Sequence, residues 1–113
     1  MTDCLFCAIV AGSIPTDRVH ETERTLAFRD VSPQAPAHLL VVPKAHHPDV
    51  AAMADADPSL LADLMVAAVA VARAEGLDGG FRLVVNTGAD GGQTVHHLHV
   101  HVLGGRSLGW PPG

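Results

Sequence analysis

The sequence predicts an α+β domain, with a five-stranded, mostly antiparallel sheet, one long helix and one short one. Three observations carry this. Short apolar runs such as "HLLVV" and "FRLVVNT" are separated by Pro- and Gly-rich turns. One long apolar run stands behind an Asp-Pro start and ahead of a Glu-Gly stop. Near the end, His97, His99 and His101 alternate with Leu98, Val100 and Val102, the period of a half-buried strand.

Taken in order, "CLFCAIVAGSIP" reads as the short helix, closed by Gly12 and barred from continuing by Pro15. "DRVHETERTLAFRD" reads as two strands around a polar turn at Glu21–Arg24, with Val19, Leu26 and Phe28 as their apolar positions. "VSPQAPA" holds two prolines in seven residues and is a loop. Residues 38–42 form a short buried strand ended by Pro43. Asp57 is the N-cap of the long helix and Pro58 its first residue, with the stop at Glu75 and Gly76. Residues 81–87 make another strand, and Gly88, Gly91 and Gly92 loop back to the histidine strand, which Gly104-Gly105 ends.

Composition narrows the function. A length of 113 residues gives room for one domain, 1–113, and for a core without disulfide staples. The most apolar stretch, Leu60 to Ala72, contains Asp63 and is too short to span a bilayer. "MTDCLFCAIV" lacks the basic start and long apolar core of a signal peptide. A cytoplasmic protein with no membrane partner is expected. The net charge of −5 and only seven scattered Lys and Arg residues argue against nucleic acid. A small anion held by backbone N–H groups and histidines stays possible. Cys4 and Cys7 form one C-x-x-C, for which a structural disulfide is not expected; metal ligation, a redox pair and two inert thiols stay open.

Four of the eight histidines fall within six positions: His96, His97, His99 and His101. On a strand the last three share one face, with Leu98 and Val100 on the other. Their chemistry leaves two uses open. Three imidazoles can hold zinc, and an imidazole can attack phosphorus near neutral pH while its neighbours orient it and stabilise the phosphoryl oxygens.

"QTVHHLHVHVLGGR" at 93–106 resembles the signature of the histidine triad (HIT) nucleotide-binding proteins. The resemblance extends to "IP" at 14–15, "LAFRDVSPQAPAHLLVVPKAH" at 26–46, "VVNTGADGGQTVHHLHVHVLGGR" at 84–106 and the terminal "WPPG", in that order. It is strongest to the purine nucleoside phosphoramidase branch. It implies a HIT-like fold, a homodimer, and cleavage of the P–N bond of adenosine-type nucleoside 5′-phosphoramidates, with AMP or GMP as product. Hydrolysis of dinucleoside polyphosphates, or nucleotide binding in a regulatory or scaffold role, are the alternatives.

The resemblance also implies roles. His99 would attack phosphorus, His101 would hydrogen-bond the phosphate, and His97 would position both. His38 would hold the other ring nitrogen of His99. Thr94, where relatives usually carry Ser, would keep a hydroxyl beside the leaving group, and Val95 with the 92–95 backbone would cradle the phosphate. Asp30 would accept the ribose hydroxyls, and Asn86 would bind near the 5′ oxygen. Phe6, Ile9, Phe28, Val31 and Leu40 would form a slot for the base, although pattern alone calls them core; Asp30 and Asn86 could equally be turn residues. No cofactor is implied for catalysis. In zinc-binding branches the ligands match Cys4, Cys7, His46 and His97, which implies a structural zinc here, with His47 a possible substitute. His96 is read as structural. From Ser59 to Ala72 only Ser59 and Asp63 are polar, more apolar surface than one sheet face needs, which places the long helix and the 81–87 strand at the dimer interface.

Overall fold

The computed structural model describes residues 4–113. Five strands form one antiparallel sheet: β1 (Arg18–Glu21), β2 (Thr25–Arg29), β3 (Ala37–Pro43), β4 (Phe81–Val84) and β5 (Val100–Gly104), in the spatial order β1-β2-β3-β5-β4. Three helices accompany them: α1 (Leu5–Val10), α2 (Val50–Ala56) and α3 (Pro58–Ala74). The α+β class and the five strands agree with the sequence reading.

Period-two alternation gives the central strands two different buried faces. Ala27 of β2, Leu39 and Val41 of β3, and Val100 and Val102 of β5 pack under α3 with Leu60, Leu64, Ala68 and Val71. Leu26 and Phe28, and Leu40 and Val42, point the opposite way and are covered by Phe6 and Ile9 of α1. β3 is buried along its whole length because it lies in the middle, between β2 and β5. Asp57 caps α3 by accepting from the Leu60 amide, with Pro58 at the first helical position.

Three element readings change. Helix α2 was not foreseen; its signals are Asp49, which caps it through the Ala52 amide, and an alanine-rich run that buries only Met53. β4 stops at Val84 and not at residue 87. The histidine strand begins only at Val100. Both shortenings have one cause. The chain ahead of Val100 leaves the sheet for the loop after β3, where the Leu98 amide donates to the His47 carbonyl at 2.7 Å. The side-chain alternation nevertheless persists: Leu98 joins the core under α3, while His97 and His99 turn toward α1.

Candidate active site

The site is a row of rings along the α1 side of the sheet. Phe6 stands edge-on to His97 and His99, with centroids 5.9 and 5.0 Å away, and His99 is 5.0 Å from His101. His101 is 5.2 Å from His38. The β3–β5 register explains that last contact: Leu40 lies opposite His101, so His38, two residues earlier on the same face, is its diagonal neighbour.

Backbone groups dictate where each imidazole carries its proton, because a carbonyl only accepts and an N–H only donates. His97 is fully buried, and its Nε2–H donates to the Pro43 carbonyl at 2.8 Å, leaving Nδ1 unprotonated. The Nδ1–H of His99 donates to the His97 carbonyl at 2.8 Å, leaving Nε2 with its lone pair. The Gln34 amide donates to Nδ1 of His38 at 3.0 Å, so the His38 proton sits on Nε2, which donates to Nδ1 of His101 at 2.9 Å. His101 in turn carries its proton on Nε2. The row therefore presents one free imidazole lone pair, on His99, beside one N–H donor, on His101.

This corrects the expected role of His38. Its ring meets His101 and not His99, whose Nδ1 is held by the His97 carbonyl, because the offset of β3 against β5 puts His38 beside the C-terminal end of the row.

Among the described residues, two groups of side chains have the composition of a metal site. In the first, Nδ1 of His97 lies 3.2 Å from the Cys4 sulfur and 3.5 Å from that of Cys7, and Nδ1 of His46 lies 3.4 Å from the Cys7 sulfur and 3.1 Å from His97 Nδ1. Ligand atoms around a tetrahedral zinc stand about 3.3–3.8 Å apart. The remaining His97 nitrogen donates to a carbonyl, the usual outer partner of a ligating histidine, and the Cys7 amide donates to the Cys4 sulfur. This set fits a divalent ion. His47 is not part of it. The second group, Asp30, His38 and His101, does not fit. A metal on His38 Nε2 would require a proton on Nδ1, facing the Gln34 N–H.

The other expected residues fall in several places. Phe6, Ile9, Phe28 and Leu40 pack on one another, each no more than 6% exposed, and Val95 packs against them. Val31 does not join them and is 95% exposed. Asp30 makes the turn, with Oδ1 accepting from the Ser32 amide at 2.8 Å, while Oδ2 lies 3.5 Å from His38 Nε2. Thr94 and His96 are exposed and Asn86 is half-buried. A cavity of about 480 Å³ lies between the start of β4 and residues 105–108, away from the histidine row.

A residue the sequence reading did not single out is Gln93, which is buried. Its Oε1 accepts from the Gly88 amide, and its Nε2 donates to the carbonyls of Pro48 at 2.6 Å and Val95 at 3.1 Å, bracing the loop that carries Thr94. In the same loop a side chain at Gly91 would lie 2.4 Å from the Thr87 carbonyl oxygen, so only glycine fits. The place of Gln93 directly ahead of Thr94, in a glycine-rich turn, is the available signal.

The HIT domain pattern matches residues 11–108. An uncharacterised HIT-like protein of Synechococcus elongatus is 50% identical over 111 residues, spanning 98% of this chain and 97% of that one. The crystal structure of a HIT family hydrolase from Legionella pneumophila superposes with a TM-score of 0.94 at 50% identity, covering 98% of this chain and all of the other. A histidine triad nucleotide-binding protein from Candida albicans superposes with a TM-score of 0.83 at 30% identity, over 96% of this chain and 83% of that one. Among the described residues no helix is long and apolar enough to cross a membrane.

Burial, then the neighbouring His99 and His38, push His101 down to about 4, against the opposing pull of Asp30. Burial lowers His38 and His97 as well. A histidine in the unfolded chain titrates near 6.5, so between about pH 6.5 and 4 the unfolded state takes up protons that the folded state refuses. Stability contributed by the neutral His101 ring is intact above about pH 6.5 and falls as the pH drops toward about 4. Urea unfolding at pH 7.0 and 4.5 should therefore show a smaller loss in His101→Asn than in the parent. An equal loss in both would contradict the assignment.

Proposed function

The chain belongs to the HIT domain family, and from that premise we propose that it is a nucleotide hydrolase acting on the P–N bond of purine nucleoside 5′-phosphoramidates, with His99 as nucleophile. The observation that carries the reading is the bond from His99 Nδ1–H to the His97 carbonyl, which leaves the Nε2 lone pair available. His97 is ill suited to attack because it is fully buried, with Nε2 committed to Pro43. His101 is ill suited because its Nε2 already bears a proton.

In this mechanism the Nε2 lone pair attacks the α-phosphorus and the P–N bond breaks. The nitrogen leaves as the free amine with one proton from solvent. Positive charge on the His99 ring is stabilised by the His97 carbonyl, and His101 Nε2–H donates to a phosphoryl oxygen. Water then displaces His99 from phosphorus and returns the proton. The net reaction consumes one water and yields AMP or GMP and an amine. Asp30 is assigned to the ribose, Asn86 to the 5′ oxygen, the 92–95 backbone to the phosphate and Thr94 to the leaving group. The base lies against the Phe6, Ile9, Phe28 and Leu40 cluster, near Val31.

The same reading puts one structural zinc on Cys4, Cys7, His46 and His97. When bound, the ion would cross-link α1, the loop after β3 and the histidine row. The homodimer buries the outer face of α3, where Val66 is 70% exposed and Leu61 and Met65 are half-buried, against a second copy along the free edge of β4.

Three measurements test these statements. His99→Ala should lower kcat on an adenosine phosphoramidate by at least about a thousandfold with little change in nucleotide affinity; activity within tenfold of the parent, alongside an inactive His101→Ala, would reverse the two roles. Elemental analysis of protein purified without chelator should return about one zinc per chain, and less than about a tenth of an equivalent would refute the metal. Light scattering at micromolar concentration should give twice the 11.7 kDa chain mass, and a monomer would refute the interface.

A further inference from the structure

The position of the proton on His101 traces back, bond by bond, to residues outside the histidine row. Nδ1 of His101 is 2.9 Å from Nε2 of His38, and Nδ1 of His38 is 3.0 Å from the backbone nitrogen of Gln34. A backbone N–H is an obligate donor, so this last bond has only one polarity. Gln34 belongs to the "SPQAP" loop between β2 and β3, and its own position is held from two sides. Its carbonyl accepts from Nη2 of Arg106 at 3.1 Å, and its side-chain amide donates to the Ser32 carbonyl at 2.9 Å.

Arg106 reaches Gln34 because the turn after β5 lies directly against this loop. Gly105 has φ +91°, and a side-chain carbon added to it would stand 2.8 Å from Cβ of Pro36. Arg106 has no carboxylate partner among the described residues; its other bond is to the Ser107 carbonyl at 3.0 Å. Arg18, Arg24 and Arg29, by contrast, each pair with Asp or Glu. Its guanidinium is thus spent on carbonyls, one of them the brace on Gln34.

We propose that the Gln34 backbone amide, held in place by Arg106, is the positioning group that sets the tautomers of His38 and His101 and so keeps the His101 proton on Nε2. Without that amide, only Asp30 Oδ2, 3.5 Å from His38 Nε2 and beyond good hydrogen-bond length, still favours a proton on Nε2. At that separation the carboxylate biases the ring less than the 3.0 Å bond from the Gln34 amide does, so the tautomer with the proton on Nδ1 becomes populated. His38 with its proton on Nδ1 would offer His101 a lone pair, and His101 would then reverse its own tautomer to donate from Nδ1. The donor aimed at substrate would become an acceptor, repelling a phosphoryl oxygen. A reversed tautomer behind a catalytic ring is costly to turnover even where the geometry is intact.

The consequence for turnover rests on the function proposed above; the tautomer assignment does not. The test therefore reads the rings directly, by two-bond ¹H–¹⁵N correlation spectra of the full-length protein as purified without chelator, in the absence of substrate. In the parent, Nδ1 should be the unprotonated nitrogen in both His38 and His101. Replacing the Gln34 amide by an ester removes the N–H while keeping the side chain, and should shift both rings to a mixture or to the reverse assignment. Arg106→Met, a surface change suited to the case where the ester chain does not fold, should speed exchange of the Gln34 amide with solvent about tenfold or more. It should move the same ring signals in the same direction and lower kcat more than it raises KM. Unchanged ring assignments in either folded variant would overturn the inference. Shifted assignments in a protein whose parent does not turn over phosphoramidates would leave it standing and remove the proposed substrate instead.

Discussion

The arrangement of this molecule depends on His97, a buried imidazole with three commitments. Its Nε2–H is held by the Pro43 carbonyl, its Nδ1 faces two cysteine sulfurs and His46, and its own carbonyl holds the Nδ1–H of His99. A buried polar group without partners costs on the order of 1–3 kcal/mol, so each of these bonds is strongly constrained once the ring is inside. Fixing His97 joins the N-terminal helix, the end of β3 and the segment that carries His99. The chain leaves the sheet at residues 97–99 for this reason: the end of β3 and the loop after it offer carbonyls at Pro43 and His47 that a continued ladder to β4 would leave unused.

The two-faced sheet lets such a polar row exist in a small fold. One face is a continuous apolar contact with α3 and forms the larger of the two apolar clusters. The other is covered by a helix of only six residues, so apolar packing gives way to rings and sulfurs along one edge. Phe6 sits at the border, packing edge-on to Phe28 on one side and to His97 and His99 on the other. It screens the histidines from solvent without offering them a hydrogen bond, leaving their protons to be placed by the backbone.

The metal-ligand comparison shows how strongly such second partners discriminate. Two clusters contain the right residue types at the right distances. Only in the first does the outer partner of a histidine accept a hydrogen bond, as a ligating imidazole needs. In the second the outer partner is an amide donor, which turns His38 into a proton donor toward His101 instead.

By itself, the sequence determined the class, the five strands, the α1 and α3 helices and the residues with chemistry, because alternation, capping and turn residues are local signals. Cys4, Cys7, His46 and His97 were legible as a set only through resemblance; no spacing in the chain implies that they meet across 93 positions. Tertiary structure decided the rest. It added α2, whose single buried side chain gives almost no periodic signal, and it ended the ladders at Val84 and Val100. It gave His38 to His101 through the register of β3 on β5, a quantity that pairing sets and composition does not. Above all it decided where the protons sit. A histidine in a sequence has two accessible tautomers, and the carbonyl or amide it meets in three dimensions chooses between them.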